Sequence, residues 1–109
     1  MIIDTHCHLD DARFDDISSV IKSAFDNGVQ KIIIPGADIN DLPKALEIAN
    51  SNENIYFAAG VHPYEIDGYG IDILRKFAKE SKCIAIGECG LDYFRLPETD
   101  IDSYKAKQK

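Results

Sequence analysis

Four short apolar runs, each followed by a stretch with helical spacing, limit what this chain can fold into. Met1–Thr5, Lys31–Pro35, Ile55–Ala59 and Ile84–Gly87 read as strands. Ile32, Ile33 and Ile34 are apolar at every position, as in strands buried on both faces of a parallel sheet. Residues 13–27 place Phe14, Ile17, Ile21, Ala24 and Phe25 on one helical stripe. Gly28 follows as a helix stop. A second helix runs from about Asp41 to Asn50 on Leu42, Ala45, Leu46 and Ala49, with Asn40 or Asp41 as its N-cap. Gly60–Gly70 reads as a loop, and Ile71, Leu74, Phe77 and Ala78 mark a third helix. Asp100–Lys109 reads as the first turns of a fourth, with Tyr104 as its large apolar residue. Strands alternating with helices in this way predict parallel βαβ units with right-handed crossovers. Two architectures fit the pattern. One is a small doubly wound sheet, complete at about this length. The other is the first half, about four βα units, of a (β/α)8 barrel, which normally takes about 250 residues.

Charge narrows the chemistry. Twelve basic residues stand against nineteen acidic ones, for a net charge of −7 in 109 residues. A surface that binds nucleic acid through lysine and arginine alone is basic. A polyanionic substrate would therefore have to be held at a local site, where bound cations can supply the missing charge. No apolar run approaches the roughly 18–20 residues that span a bilayer, and no secretory signal is visible. A cytoplasmic protein without a membrane partner is expected. Cys7, Cys83 and Cys89 are odd in number and lack C-x-x-C spacing, which argues against a disulfide framework or a zinc ribbon. They read as reduced, buried small hydrophobes.

The histidines fall in one place. His6 and His8 follow the first predicted strand, His62 follows the third, and Glu88 ends the fourth. In both candidate architectures the carboxyl ends of parallel strands line the functional face. Alternate residues of an extended segment share a side, so His6 and His8 point together and Cys7 points away. Two adjacent imidazoles suit a divalent metal. Glu88, driven to the end of an apolar strand, needs a partner, either a cation or a base such as Arg95. Asp4 is placed to accept a histidine N–H or to pair with a buried base.

Three segments together resemble one family. Ile3-Asp4-Thr5-His6-Cys7-His8-Leu9-Asp10 resembles the opening of the TatD-type metal-dependent deoxyribonucleases. Gly60-Val61-His62-Pro63 and Ile86-Gly87-Glu88-Cys89-Gly90-Leu91-Asp92-Tyr93 are similar to their second and third signatures. The resemblance implies an amidohydrolase-type barrel that holds two divalent ions (Mg, Mn or Zn) and hydrolyses DNA phosphodiester bonds. It implies that His6 and His8 are ligands of one metal and that Glu88 bridges the two. Asp10, His62 and Asp92 match motif positions near the site, with His62 and Asp92 assigned to catalysis beside Glu88 and Asp10 to substrate binding. Arg95, by charge and place, is assigned to a phosphate, and the rim tyrosines Tyr64 and Tyr93 to stacking on bases.

The sequence departs from the family by stopping at Lys109. Family members continue through four more strands, which bring two further histidines and an aspartate to the metals. The expectation is a single partial domain, residues 1–109, that is the N-terminal half of a nuclease and inactive alone. Its fourth strand would be an open edge, available for self-association with a second copy. Two other readings stand beside this one. One is a related hydrolase acting on an amide, ester or lactone. The other is a non-enzymatic α/β binding domain, which would leave the histidine clustering unexplained.

Overall fold

In a computed structural model describing residues 1–109, the four apolar runs become strands of one sheet. They are β1 (Ile2–Asp4), β2 (Val29–Ile34), β3 (Ile55–Ala59) and β4 (Cys83–Ile86). Every neighbouring pair is parallel and the spatial order is β1-β2-β3-β4. That order decides between the two architectures. A doubly wound sheet reverses direction at a switch point and places helices on both faces. Here each crossover steps the same way, as in a barrel.

Four helices connect or follow the strands: α1 (Ile17–Asp26), α2 (Leu42–Asn50), α3 (Ile71–Ala78) and α4 (Ile101–Gln108). The first begins four residues later than the periodicity predicts. Asp16 caps it by accepting the Ser19 backbone N–H at 3.1 Å, and Asp11 holds Arg13 in the turn before it. Phe14 therefore lies outside the helix and is exposed. Asp41 occupies the N-cap of α2 without a side-chain cap bond. The predicted loop 60–70 contains a 3-10 helix, Pro63–Gly68, capped by His62.

The core lies between the helices and one face of the sheet. Ile32, Ile34, Ile55 and Phe57 are buried against Leu42, Ala45, Ile48 and Phe77. The expectation that the strands are buried on both faces is corrected here. Ile33 and Tyr56, paired across β2 and β3, are only half-buried, and on β4 Ile84 and Ile86 are 51% and 67% exposed. Hydrophobic periodicity reports what a strand can bury, not what covers it. The radius of gyration, 15.2 Å, exceeds the ~13 Å of a compact domain of this length. Cys7 and Cys83 pack against the core as half-buried thiols, whereas Cys89 is exposed, against expectation. Lys31 and Lys82 place their ammonium groups over the Tyr56 ring. No helix is long and apolar enough to cross a membrane.

Polar contacts hold α4, which buries no residue. Tyr104 Oη and Lys107 Nζ each donate to Asp67 at 2.8 Å. These two donors, Lys107 first, hold the Asp67 carboxyl below its ordinary value of 3.8. A carboxylate depressed in the folded state stabilises docking above its ordinary pKa and loses that contribution as pH falls through the folded value. Docking of α4 is therefore expected to weaken only below about pH 3.8, seen as loss of Tyr104 amide protection in hydrogen exchange. Asp67→Asn should remove this step. A variant that retains it would place the titrating group elsewhere.

Candidate metal centre

The segment after β1 stays extended because the Cys7 backbone N–H donates to the Ile33 carbonyl at 3.2 Å, continuing the pairing with β2. Cys7 then faces the core and Leu9 is buried beyond it. His6 and His8 are left side by side on the rim, their ring centroids 5.0 Å apart and their planes at 80°. Asp4 accepts the backbone N–H of His6 at 3.1 Å. It shapes the turn and is not the acceptor of a ring N–H.

Glu88 arrives from the other edge of the sheet. Its two carboxylate oxygens divide between the histidines, with His6 Nε2 to Oε1 and His8 Nε2 to Oε2 both at 3.8 Å. Arg95 forms no ion pair with it. Each residue offers a donor atom, and the three atoms lie within 4.8 Å of one another. A cation 2.0–2.2 Å from each donor needs donor separations of about 3.0–3.5 Å. Small rotamer adjustments of these partly exposed side chains reach that spacing. Two imidazoles and a carboxylate with no other cation to face fit a divalent metal in both number and chemistry.

A cleft of about 600 Å³ opens beside the three donors, lined by His8, Glu88, Asp10, His62, Tyr64 and Arg95 among others. Its polar walls set the state of their neighbours. Asp10 is 6% exposed. Burial pushes its carboxyl up, while its own backbone N–H and the His8 and Lys44 side chains pull it down. His62 Nδ1 accepts the Tyr64 backbone N–H at 3.1 Å, so the proton of the neutral ring sits on Nε2. The Tyr64 ring meets His62 edge-on at 4.7 Å. His62 is thus on the cleft but outside the three-donor cluster.

Asp92 and Tyr93 do not line the cleft. The Asp92 carboxylate accepts the Phe94 backbone N–H at 2.9 Å, and its backbone is pinned by the Gln108 side-chain amide. The Phe94 N–H, then Tyr64, His62 and Arg95, hold its carboxyl below the ordinary value. Tyr93 lies beneath the Lys105 ammonium, 5.0 Å from its ring centroid, and so away from the metal donors. Asp11 and Arg13 are among the cleft residues that escaped the sequence reading. They form a forked pair at 3.0 and 2.9 Å, which holds Asp11 down to about 2. Their spacing at i, i+2 in a polar turn gives no signal.

Comparison with known proteins supplies a frame for this geometry. The family model described as TatD related DNase matches residues 3–109. The chain is 30% identical over 105 residues to the uncharacterized metal-dependent hydrolase YcfH of Escherichia coli K12, covering 92% of this chain and 40% of that protein. It is 31% identical over 96 residues to the 3'-5' ssDNA/RNA exonuclease TatD of Salmonella typhimurium, covering 85% of this chain and 37% of that one. The crystal structure of YjjV, a TatD homologue from Escherichia coli K12, superposes with a TM-score of 0.70 at 28% identity. That match covers 97% of this chain and 42% of YjjV. The chain thus spans about two fifths of the length of these relatives. Its sequential parallel sheet matches about two fifths of the TatD homologue's fold, its three donors stand on the strand-end rim, and the chain belongs to the TatD-related DNase family.

Proposed function

We propose that His6, His8 and Glu88 are this chain's share of a two-metal hydrolase site whose substrate is the DNA phosphodiester bond. The convergence of both imidazoles on one carboxylate, from opposite edges of the sheet, carries the reading. The family match and the exonuclease named among the relatives support it. When bound, divalent cations lower the pKa of water and stabilise charge on the attacking and leaving oxygens. The mixed nitrogen and oxygen donor set suits zinc or manganese, and magnesium less well.

The chain's own groups have the following parts. His6 and His8 would hold one cation through their imidazole nitrogens. Glu88 would supply carboxylate oxygens to the cations of a complete site. His62, with its Nε2 proton, donates to a substrate oxygen in the cleft. Asp10, raised by burial, accepts or returns a proton there. Asp92, held ionised, orients Tyr64 and Arg95 from behind. Arg95 meets a phosphate and Tyr64 stacks against a base. This division lets an acidic chain hold a polyanion, because the cations rather than a basic patch face the phosphate. Tyr93 carries no part in it. The exposed inner face at Ile84 and Ile86 takes a second copy of the chain when no later strands cover it.

Calorimetric titration with Mn2+ should show a site that EDTA empties. Single-stranded DNA should be retained more strongly with the ion than without it, and more strongly than a neutral ester or lactone is. The chain alone should cleave DNA to no appreciable extent, because further donors complete the family's site. Absent ion binding, or DNA retention indifferent to the ion, overturns the proposal. Robust EDTA-sensitive cleavage by the pure chain overturns its division of the site between halves. A monomeric mass in sedimentation overturns the second copy.

A further inference from the structure

We infer that Gly36 and Gly60 are positioning residues of the metal centre: their missing side chains open a path across the end of β3, along which the Gly87–Glu88 peptide carries Glu88 to His6 and His8. The inference rests on Glu88 as a metal ligand and adds how it gets there. β1 and β4 are the two outer strands of the sheet. Neighbouring strands lie about 4.8 Å apart, so three intervals separate the histidines' strand from that of the glutamate. The carboxylate nevertheless stands 3.8 Å from both rings.

The backbone covers much of that distance. Gly87 N–H donates to the Ala59 carbonyl at 3.0 Å, the last ordinary rung between β3 and β4. The next bonds skip a strand. Gly36, just beyond β2, donates its N–H to the Gly87 carbonyl at 3.1 Å, and Glu88 donates its own N–H to the Gly36 carbonyl. The Gly87–Glu88 peptide therefore passes over the end of β3, where Gly60 sits. A Cβ on Gly60 would lie 2.2 Å from both the carbon and the oxygen of Gly87. A Cβ on Gly36 would lie 2.5 Å from the Gly60 nitrogen and 2.7 Å from the Gly87 oxygen. All of these atoms belong to backbone, which cannot swing aside as a side-chain tip can. Neither glycine has positive φ, unlike Gly28 and Gly90. Space, rather than backbone freedom, is what glycine provides at positions 36 and 60.

Hydrogen exchange on the unmodified chain tests the crossing directly. The Gly36 and Glu88 amides lie beyond the strand ends, yet should exchange as slowly as amides within β3. Fast exchange at both overturns the inference. Gly60→Ala tests the consequence. Its affinity for Mn2+ should fall at least tenfold, with far-ultraviolet circular dichroism and a cooperative melt retained. In a Glu88→Gln background the same substitution should change affinity less than twofold, because it acts through Glu88. Equal losses in both backgrounds indicate a general structural effect and overturn the inference. Gly68→Ala, whose Cβ would meet only Ile39 Cγ2 at 3.5 Å, should leave affinity unchanged. A loss matching that of Gly60→Ala also overturns it. If Gly60→Ala does not fold, the exchange result decides. If Glu88→Gln itself leaves affinity unchanged, Glu88 is not a ligand, and the exchange result still decides whether the peptide crosses.

Discussion

Replacing His6 and His8 together with alanine is expected to lower affinity for Mn2+ or Zn2+ by about a hundredfold or more, with little change in stability. Loss of groups that merely orient a ligand costs 10–100-fold, and this change removes two of three donors outright. The side chains are 56% and 41% exposed and contribute nothing to the core. Exposed substitutions of that kind shift stability by about 0.5 kcal/mol or less. Glu88 loses both imidazole neighbours, but its side chain is partly exposed to water. Calorimetry beside a thermal melt separates the two effects. Unchanged affinity would assign the histidines to the surface and return the chain to a simple binding domain.

The opposite profile is expected of Phe57→Ala, which should unfold much of the population without touching a donor. Phe57 is fully buried, and its backbone pairs with β2 on one side and β4 on the other. Truncating a buried phenylalanine costs about 3–5 kcal/mol, because the cavity relaxes only in part. Whole domains are stable by only about 5–15 kcal/mol, and here just 20 of 109 residues are buried. The urea midpoint should fall sharply and the melting temperature by more than about 10 °C. A loss under about 1 kcal/mol would mean that β3 is loosely packed, contrary to the burial of its neighbours.

His6, His8 and Phe57 mark the limits of what could be read in the sequence. Phe57 and the isoleucines of β2 announce strands because nothing else makes several apolar residues in a row useful. His6 and His8 announce a site because alternation in an extended chain puts them together. The start of α1 was hidden, since the stripe through Phe14 continues the helical period and only the Asp16 cap stops it. Tyr64 and Tyr93 look alike in sequence. They differ because Lys105, brought back by α4, covers one and not the other. The exposure of Ile84 and Ile86 was hidden for a different reason: their character is that of a covered face, and cover is supplied by whatever packs on it. Pro35-Gly36, Ala59-Gly60 and Ile86-Gly87 carried a signal that periodicity ignores, a glycine closing three of the four apolar runs.

The donors follow the first and last strands of the sheet, so an ion between them would be a cross-link as well as a reagent. It closes a loop of roughly 80 residues between His8 and Glu88, and fastening so long a loop removes many conformations from the unfolded chain. Whatever free energy holds the ion becomes free energy of folding, about 2.7 kcal/mol when the ion is at a hundred times its dissociation constant. In a chain with so small a core, that is a substantial share of the total. With the proposed ion bound, the folded population would be tied to the supply of metal, and a chelator would act on it as a mild denaturant.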